Sequence, residues 1–312
     1  MSAYKLYTIG EIIKALREDQ NISIQQLSHN VCSAATLSRI ESGKRDIDMM
    51  TATILFGRLG YHADKFDIYL DKQEFDLYQL RTSILQKKEQ QKFDEMAAEL
   101  DTYQIQLGNN TTPLHQQFIK YMQGFLKIQS QKFQDAIHFL EESLSVTVPD
   151  WNTVSNSKLL LSFQELELLN CLSDAYEKIE NEQKAYSIRY AIIHYLEKHN
   201  IEKKQMVSLY TKLVCQLAPY FLKQGFVKKS LALCEQGLDI LGDTCTLYHL
   251  PKIMYWKAKS EEVLLASGER TVKTVIGSYQ RAYYFYRMLN QTEEAENLKI
   301  YLEENYQWQS IR

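Results

Sequence analysis

The chain has 312 residues, of which 45% are hydrophobic and 24% are charged, and its formal net charge is −3. This is an ordinary globular composition, and the net negative charge excludes a protein that coats nucleic acid by charge alone. No run of about 18 apolar residues occurs, so no membrane span is expected. The scarcity of chain breakers, with only 4 Pro and 11 Gly, favours long helices over a sheet with many turns. The five cysteines show no zinc-type spacing, so we expect buried, reduced thiols in a cytoplasmic protein.

The first 45 residues divide into three short helical segments, separated by residues that favour helix starts. An apolar stripe at helical spacing predicts a first helix over 8–19. Ser23 has the side chain of an N-cap, and Gln26 follows three residues later, as in a capping box. Ser33 is a second N-cap candidate, and Gly43 offers the positive φ that ends a helix at little cost. This pattern predicts two helices in succession after the first, with a tight turn between them.

The third segment separates an apolar face from a face of short side chains. Leu37 and Ile40 face inward, which leaves the other face free to enter a groove of DNA, as in a helix-turn-helix. The candidate contacts to bases are Ser33, Ala34, Ala35, Ser38 and Arg39. Among these, only Arg39 is able to form a bidentate contact with guanine. We expect Lys44 and Arg45 to contact phosphates.

The first 70 residues carry eight basic and eight acidic side chains. Attraction to phosphate is therefore weak for this segment as a whole. We expect binding to depend on local placement of the cations and on two copies of the chain acting together.

The sequences QLS at 26–28 and LSRIESGKR at 37–45 resemble the Xre/Cro-type DNA-binding domain. The resemblance covers about residues 8–68 and implies a small five-helix DNA-binding domain over residues 1–70. It also implies that an arginine of the first helix pairs with the glutamate after the recognition helix.

At the matching positions this chain has Arg17 and Glu41, and we assign that pair a structural role. Members of the family often have a glutamine just after the cap of the second helix, where it contacts phosphate. This chain has Ile24 there, and we expect Gln25 to take over the contact.

The remainder of the chain alternates helical stretches with short polar breaks, and the breaks resemble one another. KFDEM at 92–96 is similar to KFQDA at 132–136, and the segments 183–185 and 225–230 occupy the corresponding point of later units. A small residue precedes three of these breaks by the same interval: Gly124, Ser173 and Ala218. The pattern resembles a degenerate tetratricopeptide repeat, which implies that residues 71–312 form a right-handed superhelix of helix pairs.

Such a superhelix has a concave groove lined by the first helix of each pair. The candidate peptide-binding residues on this groove are Tyr78, Arg81, Tyr121, Phe125, Asn170, Asp174, Lys212 and Tyr255. Asn170 offers both a donor and an acceptor to a peptide backbone. Arg81 and Lys212 are candidates for holding a carboxylate, and the aromatic rings for apolar side chains. The alternative for each of these residues is a place in the core or on the solvated surface.

The segment 279–289 is apolar nearly all round as a helix, which is typical of burial on several sides. We expect it either to cap the superhelix or to lie against a second copy of the chain.

The order of the two domains resembles that of the Rgg and PlcR-like peptide-responsive transcription regulators of low-GC Gram-positive bacteria. The resemblance implies a cytoplasmic homodimer that binds double-stranded DNA and senses a short signalling peptide, as in quorum sensing. One alternative is a regulator whose repeats bind a protein partner, and another is a repeat-bearing phosphatase or a modulator of one. Because no phosphate loop, dinucleotide-binding turn, zinc motif or nucleophile elbow occurs, we expect no enzyme activity, no cofactor and no metal.

Overall fold

The computed structural model describes residues 8–66, 68, 70–108, 112–152, 159–199 and 201–308. Every regular element within those ranges is helical, which confirms the all-α prediction. The first four helices are short: α1 (Ile9–Asp19), α2 (Ile24–Ser28), α3 (Ala34–Glu41) and α4 (Met49–Arg58). The helices that follow are longer: α5 (Lys72–Glu89), α6 (Phe93–Leu107), α7 (Pro113–Gln129), α8 (Phe133–Thr147), α9 (Phe163–Lys178), α10 (Glu182–Lys198), α11 (Lys203–Lys223), α12 (Val227–Thr244), α13 (Leu250–Leu265), α14 (Val272–Met288) and α15 (Thr292–Tyr306).

The predicted caps delimit the first helices. Thr8 is the N-cap of α1, and Ser23 forms the expected capping box with Gln26 at the start of α2. The hydroxyl of Ser33 accepts a hydrogen bond from a backbone N–H in the first turn of α3. Gly43 follows the end of α3 with a φ of 68°, a conformation that suits glycine because it has no Cβ. Local sequence signals therefore position the two helices of the motif.

The fifth helix of the predicted domain is shorter than expected. After α4 the structure has a single 3₁₀ turn at Ala63–Lys65. This turn is long enough to bring the ring of Phe66 back onto Phe56, where the two rings stack with centroids 4.2 Å apart.

An ion pair joins α1 to the end of α3, as the resemblance implied. The Nε and Nη2 atoms of Arg17 donate to the two carboxylate oxygens of Glu41, at 2.7 and 2.9 Å. Both side chains are buried, and Arg17 also donates to the carbonyl of Ile22. The pairing of Arg17 with Glu41 is thus confirmed, and it fixes the first helix against the third.

The long helices pack as successive pairs, and the predicted small residues lie where paired helices cross. A Cβ atom on Gly124 of α7 would lie 2.7 Å from Leu140 of α8, so a larger residue would push these helices apart. Ser173 is fully buried in α9. The carbonyl of Ala218 in α11 accepts a hydrogen bond of 3.0 Å from Ser230 in α12. These contacts account for the repeat-like recurrence of small side chains.

Residue contacts divide the chain into two compact units, one ending at Ile201 and the other beginning at Glu202. The first unit contains both the short helices and α5 to α10. The boundary between residues 70 and 71 rests on the sequence motif and stays a prediction. Among the described residues, no helix has the length and apolarity that a membrane crossing needs.

In the second unit, the aromatic segment 279–289 lies mostly within α14. Tyr279, Tyr283 and Tyr286 are buried, and α15 packs against this helix. Tyr284 and Met288 are exposed on the opposite side. The segment is therefore covered in part by the chain itself.

Candidate DNA-binding surface and candidate peptide site

Helix α3 has the division of faces that the sequence predicts. Leu37 and Ile40 are buried in the core of the short helices. Ala35, Ser38 and Arg39 are exposed, and Ala34 is half-buried. The guanidinium of Arg39 forms no hydrogen bond or ion pair with any residue that the structure describes. This face therefore offers one unpaired cation surrounded by small side chains.

Ser33 is already engaged by the protein. Its hydroxyl accepts from the backbone N–H of Thr36 at 3.0 Å and lies 2.9 Å from the hydroxyl of Thr36. Capping α3 therefore takes up most of its hydrogen-bonding capacity, although the side chain is exposed.

The three remaining candidate DNA contacts lie on the surface. Gln25 is exposed on α2, and Lys44 and Arg45 are exposed after α3. Whether these residues contact DNA stays a prediction.

Asn170 of α9 has an unusual environment. Its side chain is 0% exposed, and neither its amide nitrogen nor its amide oxygen has a hydrogen-bond partner among the described residues. Buried amides are nearly always paired, because an unpaired polar group costs about 1–3 kcal/mol. Such an exception needs a physical explanation.

Tyr121 and Phe125 of α7 share an internal cation that the sequence interpretation missed. The ammonium of Lys88 lies 4.8 Å from the ring centre of Tyr121 and 5.1 Å from that of Phe125. It also donates to the Tyr121 hydroxyl at 2.7 Å. Burial raises the pKa of Tyr121 well above its ordinary value, so this hydroxyl stays protonated. A ligand side chain that used these rings would have to share them with Lys88 or displace it.

Asp174 is part of an internal ion-pair cluster. Its carboxylate accepts from Nη2 of Arg189 at 2.9 Å, and the same guanidinium also pairs with Glu177. Burial alone would lower the pKa of Arg189, but hydrogen bonds and charge from Glu177 and Asp174 raise it. Asp174 therefore has a structural partner on α10.

Tyr78 and Arg81 lie on α5, but Tyr78 faces the short helices. Its ring packs against their core, and its hydroxyl donates to Asp64 at 3.3 Å. Arg81 is 8% exposed and has no hydrogen bond or ion pair with the described residues, although its guanidinium lies 5.9 Å from the Tyr78 ring. Burial lowers the pKa of this guanidinium. Arg81 therefore remains a candidate for holding a carboxylate, because its guanidinium has no counter-charge paired with it among the described residues.

The last two candidates belong to the second unit. Lys212 is half-buried on α11. The ring of Tyr255 on α13 contacts Trp256 edge-on and lies near Tyr279. These contacts make Tyr255 part of an aromatic cluster inside this unit.

Comparison with known proteins identifies the first part of the chain. Residues 13–66 match the helix-turn-helix family model. They are a helix-turn-helix domain. In this domain α2 and α3 are the two helices of the motif. A search of curated proteins finds no match to the chain.

Solved structures share the fold of nearly the whole chain. The apo form of Bacillus thuringiensis PlcR is 17% identical, with a TM-score of 0.57 over 93% of this chain and 97% of that one. PlcR in complex with the peptide PapR7 and DNA is also 17% identical, with a TM-score of 0.56 over 94% and 99% of the two chains. The fold of this chain, in which helical repeats follow a helix-turn-helix domain, therefore also occurs in solved structures.

The domain also contains a buried charge that sequence reasoning missed. Arg58 ends α4, and its Nη2 donates to Glu165 of α9 at 2.9 Å. No local pattern could have revealed this pair, because the two residues are 107 positions apart. Among the described residues, no group of three His, Cys, Asp or Glu side chains is placed to hold a metal ion.

Proposed function

We propose that this protein is a cytoplasmic transcription regulator that reads double-stranded DNA through α3 of its helix-turn-helix domain. The observation that supports this most directly is the exposed guanidinium of Arg39, which has no partner among the described residues and lies on a face of small residues. A guanidinium in the major groove is able to donate to both acceptors of guanine. Lys44 and Arg45 lie beyond the end of α3, where they are available to phosphates.

The test is binding to a duplex that the wild-type chain selects from a randomised pool. We expect Arg39→Ala to weaken binding about tenfold, since one bidentate base contact contributes about 1–3 kcal/mol of binding free energy. Lys44→Ala should weaken binding and reduce the slope of affinity against salt by about one. Lys14→Ala removes an exposed cation of α1 outside this surface and serves as the control. Equal affinity of wild type and Arg39→Ala would remove Arg39 from the DNA contacts.

We propose further that the repeat helices bind a short signalling peptide through Asn170. Among the described residues the amide of Asn170 has no partner for its donor or its acceptor, and a peptide backbone supplies the complement of both. The solved PlcR structure with PapR7 shows that a protein of this fold binds a peptide. In this proposal Arg81 holds a carboxylate of the peptide, and Tyr121 and Phe125 contact its apolar side chains once Lys88 moves.

Calorimetry with synthetic short peptides tests the second proposal, beginning with any peptide encoded beside the gene. Wild type should bind one of them, and Asn170→Ala should bind it at least about tenfold more weakly. Equal affinities would remove Asn170 from the site. Failure of wild type to bind any peptide would favour the alternative, in which the repeats bind a protein partner.

The proposed regulator acts as a homodimer. A helix-turn-helix domain with balanced charge gains affinity when a second copy binds an adjacent half-site. Sedimentation at micromolar concentration should therefore give a mass near twice 36.6 kDa. A monomer both with and without DNA would contradict this part of the proposal.

A further inference from the structure

The end of α4 packs against the start of α9. A Cβ atom on Gly57 would lie 2.9 Å from the Cβ of Ser162, so only glycine allows this approach. The rings of His62 and Phe163 stack next to it, with centroids 5.4 Å apart and an angle of 3° between their planes. The helix-turn-helix domain thus has a close contact with a helix that lies about a hundred residues later in the chain.

Arg58 lies at the centre of this contact and binds in two directions. Its Nη2 donates to Glu165, and the two side chains are 2% and 1% exposed. Its Nη1 donates to the carbonyls of Leu27 and His29, at 3.2 and 2.6 Å. Those carbonyls lie at the end of α2, where a helix has no backbone donors left for its last carbonyls. One guanidinium therefore supplies donors to the turn that precedes α3.

Glu165 is held rigidly at its own end. It is the N3 residue of the capping box that starts α9, and its second oxygen accepts from the backbone N–H of Ser162 at 2.6 Å. Burial raises the pKa of its carboxyl, but the charge and hydrogen bond of Arg58, together with hydrogen bonds from Ser162 and Thr147, hold the pKa below its ordinary value. Glu165 is therefore the ionised partner that keeps the Arg58 guanidinium in place.

We propose that Arg58 and Glu165 are positioning residues for DNA reading, and that α9 completes the helix-turn-helix domain. Arg58 holds the turn between α2 and α3, and Glu165 supplies the counter-charge that allows a guanidinium to be buried there. Without Glu165 the buried charge is uncompensated, and Arg58 leaves the carbonyls to reach water. The turn then loses its donors, and the angle of α3 to the DNA is no longer fixed.

The proposal depends on the proposed function only in assigning DNA reading to α3. Hydrogen exchange in the full-length chain tests the positioning role without DNA. Glu165→Gln should exchange the amides of residues 29–36 at least about tenfold faster than wild type, because the turn opens locally. Leu172→Ala creates a core cavity in the same helix, away from the domain, and controls for general loss of stability. It should leave the exchange of residues 29–36 close to that of wild type.

DNA affinity supplies the second measurement, with the duplex that wild type selects from the randomised pool. Glu165→Gln should bind about tenfold more weakly, whereas Leu172→Ala should bind as wild type does at a temperature where both are folded. The double variant Arg58→Met with Glu165→Leu removes both charges, so no uncompensated charge stays buried, although the backbone N–H of Ser162 loses its acceptor. It should nevertheless bind DNA weakly, because the two carbonyls have still lost their donor.

The outcomes separate the two proposals. If wild type selects no duplex, the DNA-reading proposal fails, and exchange alone decides the role of Arg58 and Glu165. If Glu165→Gln does not fold, the double variant provides the same two measurements. Unchanged exchange at residues 29–36, or wild-type DNA affinity in the double variant, would overturn the inference.

Discussion

Two polar side chains of the repeat helices differ sharply in how well they are paired, one half-buried and the other fully buried. The carboxylate of Glu262 on α13 accepts hydrogen bonds from the hydroxyls of Tyr279, Tyr301 and Tyr306 and from the ammonium of Lys259. The amide of Asn170 on α9 has none among the described residues, although it is the more deeply buried of the two. A fully paired buried group stabilises a fold, whereas an unpaired one destabilises it unless something outside the protein pairs with it.

The same contrast occurs between two arginines of the helix-turn-helix domain. Arg17 is buried and forms two hydrogen bonds with Glu41, while Arg39 is exposed and has no partner in the described part of the chain. We infer that the paired groups maintain the structure, that Arg39 is available to a partner as it stands, and that Asn170 reaches one only when the helices around it open. Substituting a paired group should therefore lower the stability of the fold, whereas substituting an unpaired group should weaken binding and leave stability nearly unchanged.

Breaking the Arg17–Glu41 pair should have the largest effect. Glu41→Ala leaves a buried guanidinium without its counter-charge, which costs about 3–5 kcal/mol of unfolding free energy. Urea unfolding of the full-length chain measures this loss. Glu18→Ala is the matched control, since Glu18 is exposed and lies 3.5 Å from the same arginine. Equal stability of the two variants would mean that the pair contributes no more than a surface contact.

Removing Glu262 should have the next largest effect. Glu262→Ala takes the common acceptor away from three tyrosine hydroxyls and one ammonium, and we expect a loss of roughly 2–4 kcal/mol. The melting temperature should fall, whereas Glu304→Ala on the exposed face of α15 should leave it unchanged. A melting temperature for Glu262→Ala equal to that of the control would show that this carboxylate does not hold α15.

His115 extends the comparison to a half-buried group whose charge depends on pH. Its Nδ1 lies 2.5 Å from the hydroxyl of Tyr103, and burial raises the pKa of that hydroxyl to about 12, so the tyrosine stays protonated. Burial lowers the pKa of His115 to about 4 from an ordinary value of 6.5. The unfolded chain therefore binds a proton at higher pH than the folded chain does.

This difference makes stability depend on pH. The contribution of His115 is complete above pH 6.5 and is lost as the pH falls from 6.5 towards 4. We expect a loss on the order of 1–2 kcal/mol, reduced from the full linkage value because the ring is partly exposed. His115→Gln should flatten the plot of unfolding free energy against pH in this range. His138→Gln, which replaces an exposed histidine, should leave the plot unchanged. Parallel curves for His115→Gln and wild type would exclude His115 as the cause.

The smallest effect on stability, and the most informative one, is expected at Asn170. Asn170→Leu should leave the unfolding free energy unchanged or raise it by up to about 1 kcal/mol, because no hydrogen bond is lost. Gln117→Leu should lower it by about 1–3 kcal/mol, because the amide of Gln117 donates to the carbonyl of Ser143 and the hydroxyl of Thr147. A clear loss of stability in Asn170→Leu would contradict the view that Asn170 is unpaired in the free protein.

The capping and crossing residues could be predicted because they act over a few positions. Ser23 and Ser33 cap the helices that begin next to them, and Gly43 ends α3 within the same turn. Each small residue of the repeats precedes the break between its two helices by the same interval, although the repeats themselves differ in length. The order of the two regions and the all-helical fold follow from such local patterns.

Apart from the Arg17–Glu41 pair, which the family resemblance implied, the partners of buried charges were decided only by the tertiary structure. Arg58 meets Glu165 across 107 positions, and Tyr78 turns towards the short helices although its place in the repeat favoured the groove. A hydrogen bond between remote residues leaves no periodicity in the sequence, because either residue alone is compatible with a solvated surface. Whether Asn170 is paired depended in the same way on which side chains the folded helices bring to it. Hydrophobic spacing and capping therefore determine where the helices lie along the chain, and three-dimensional packing determines which polar groups remain without a partner.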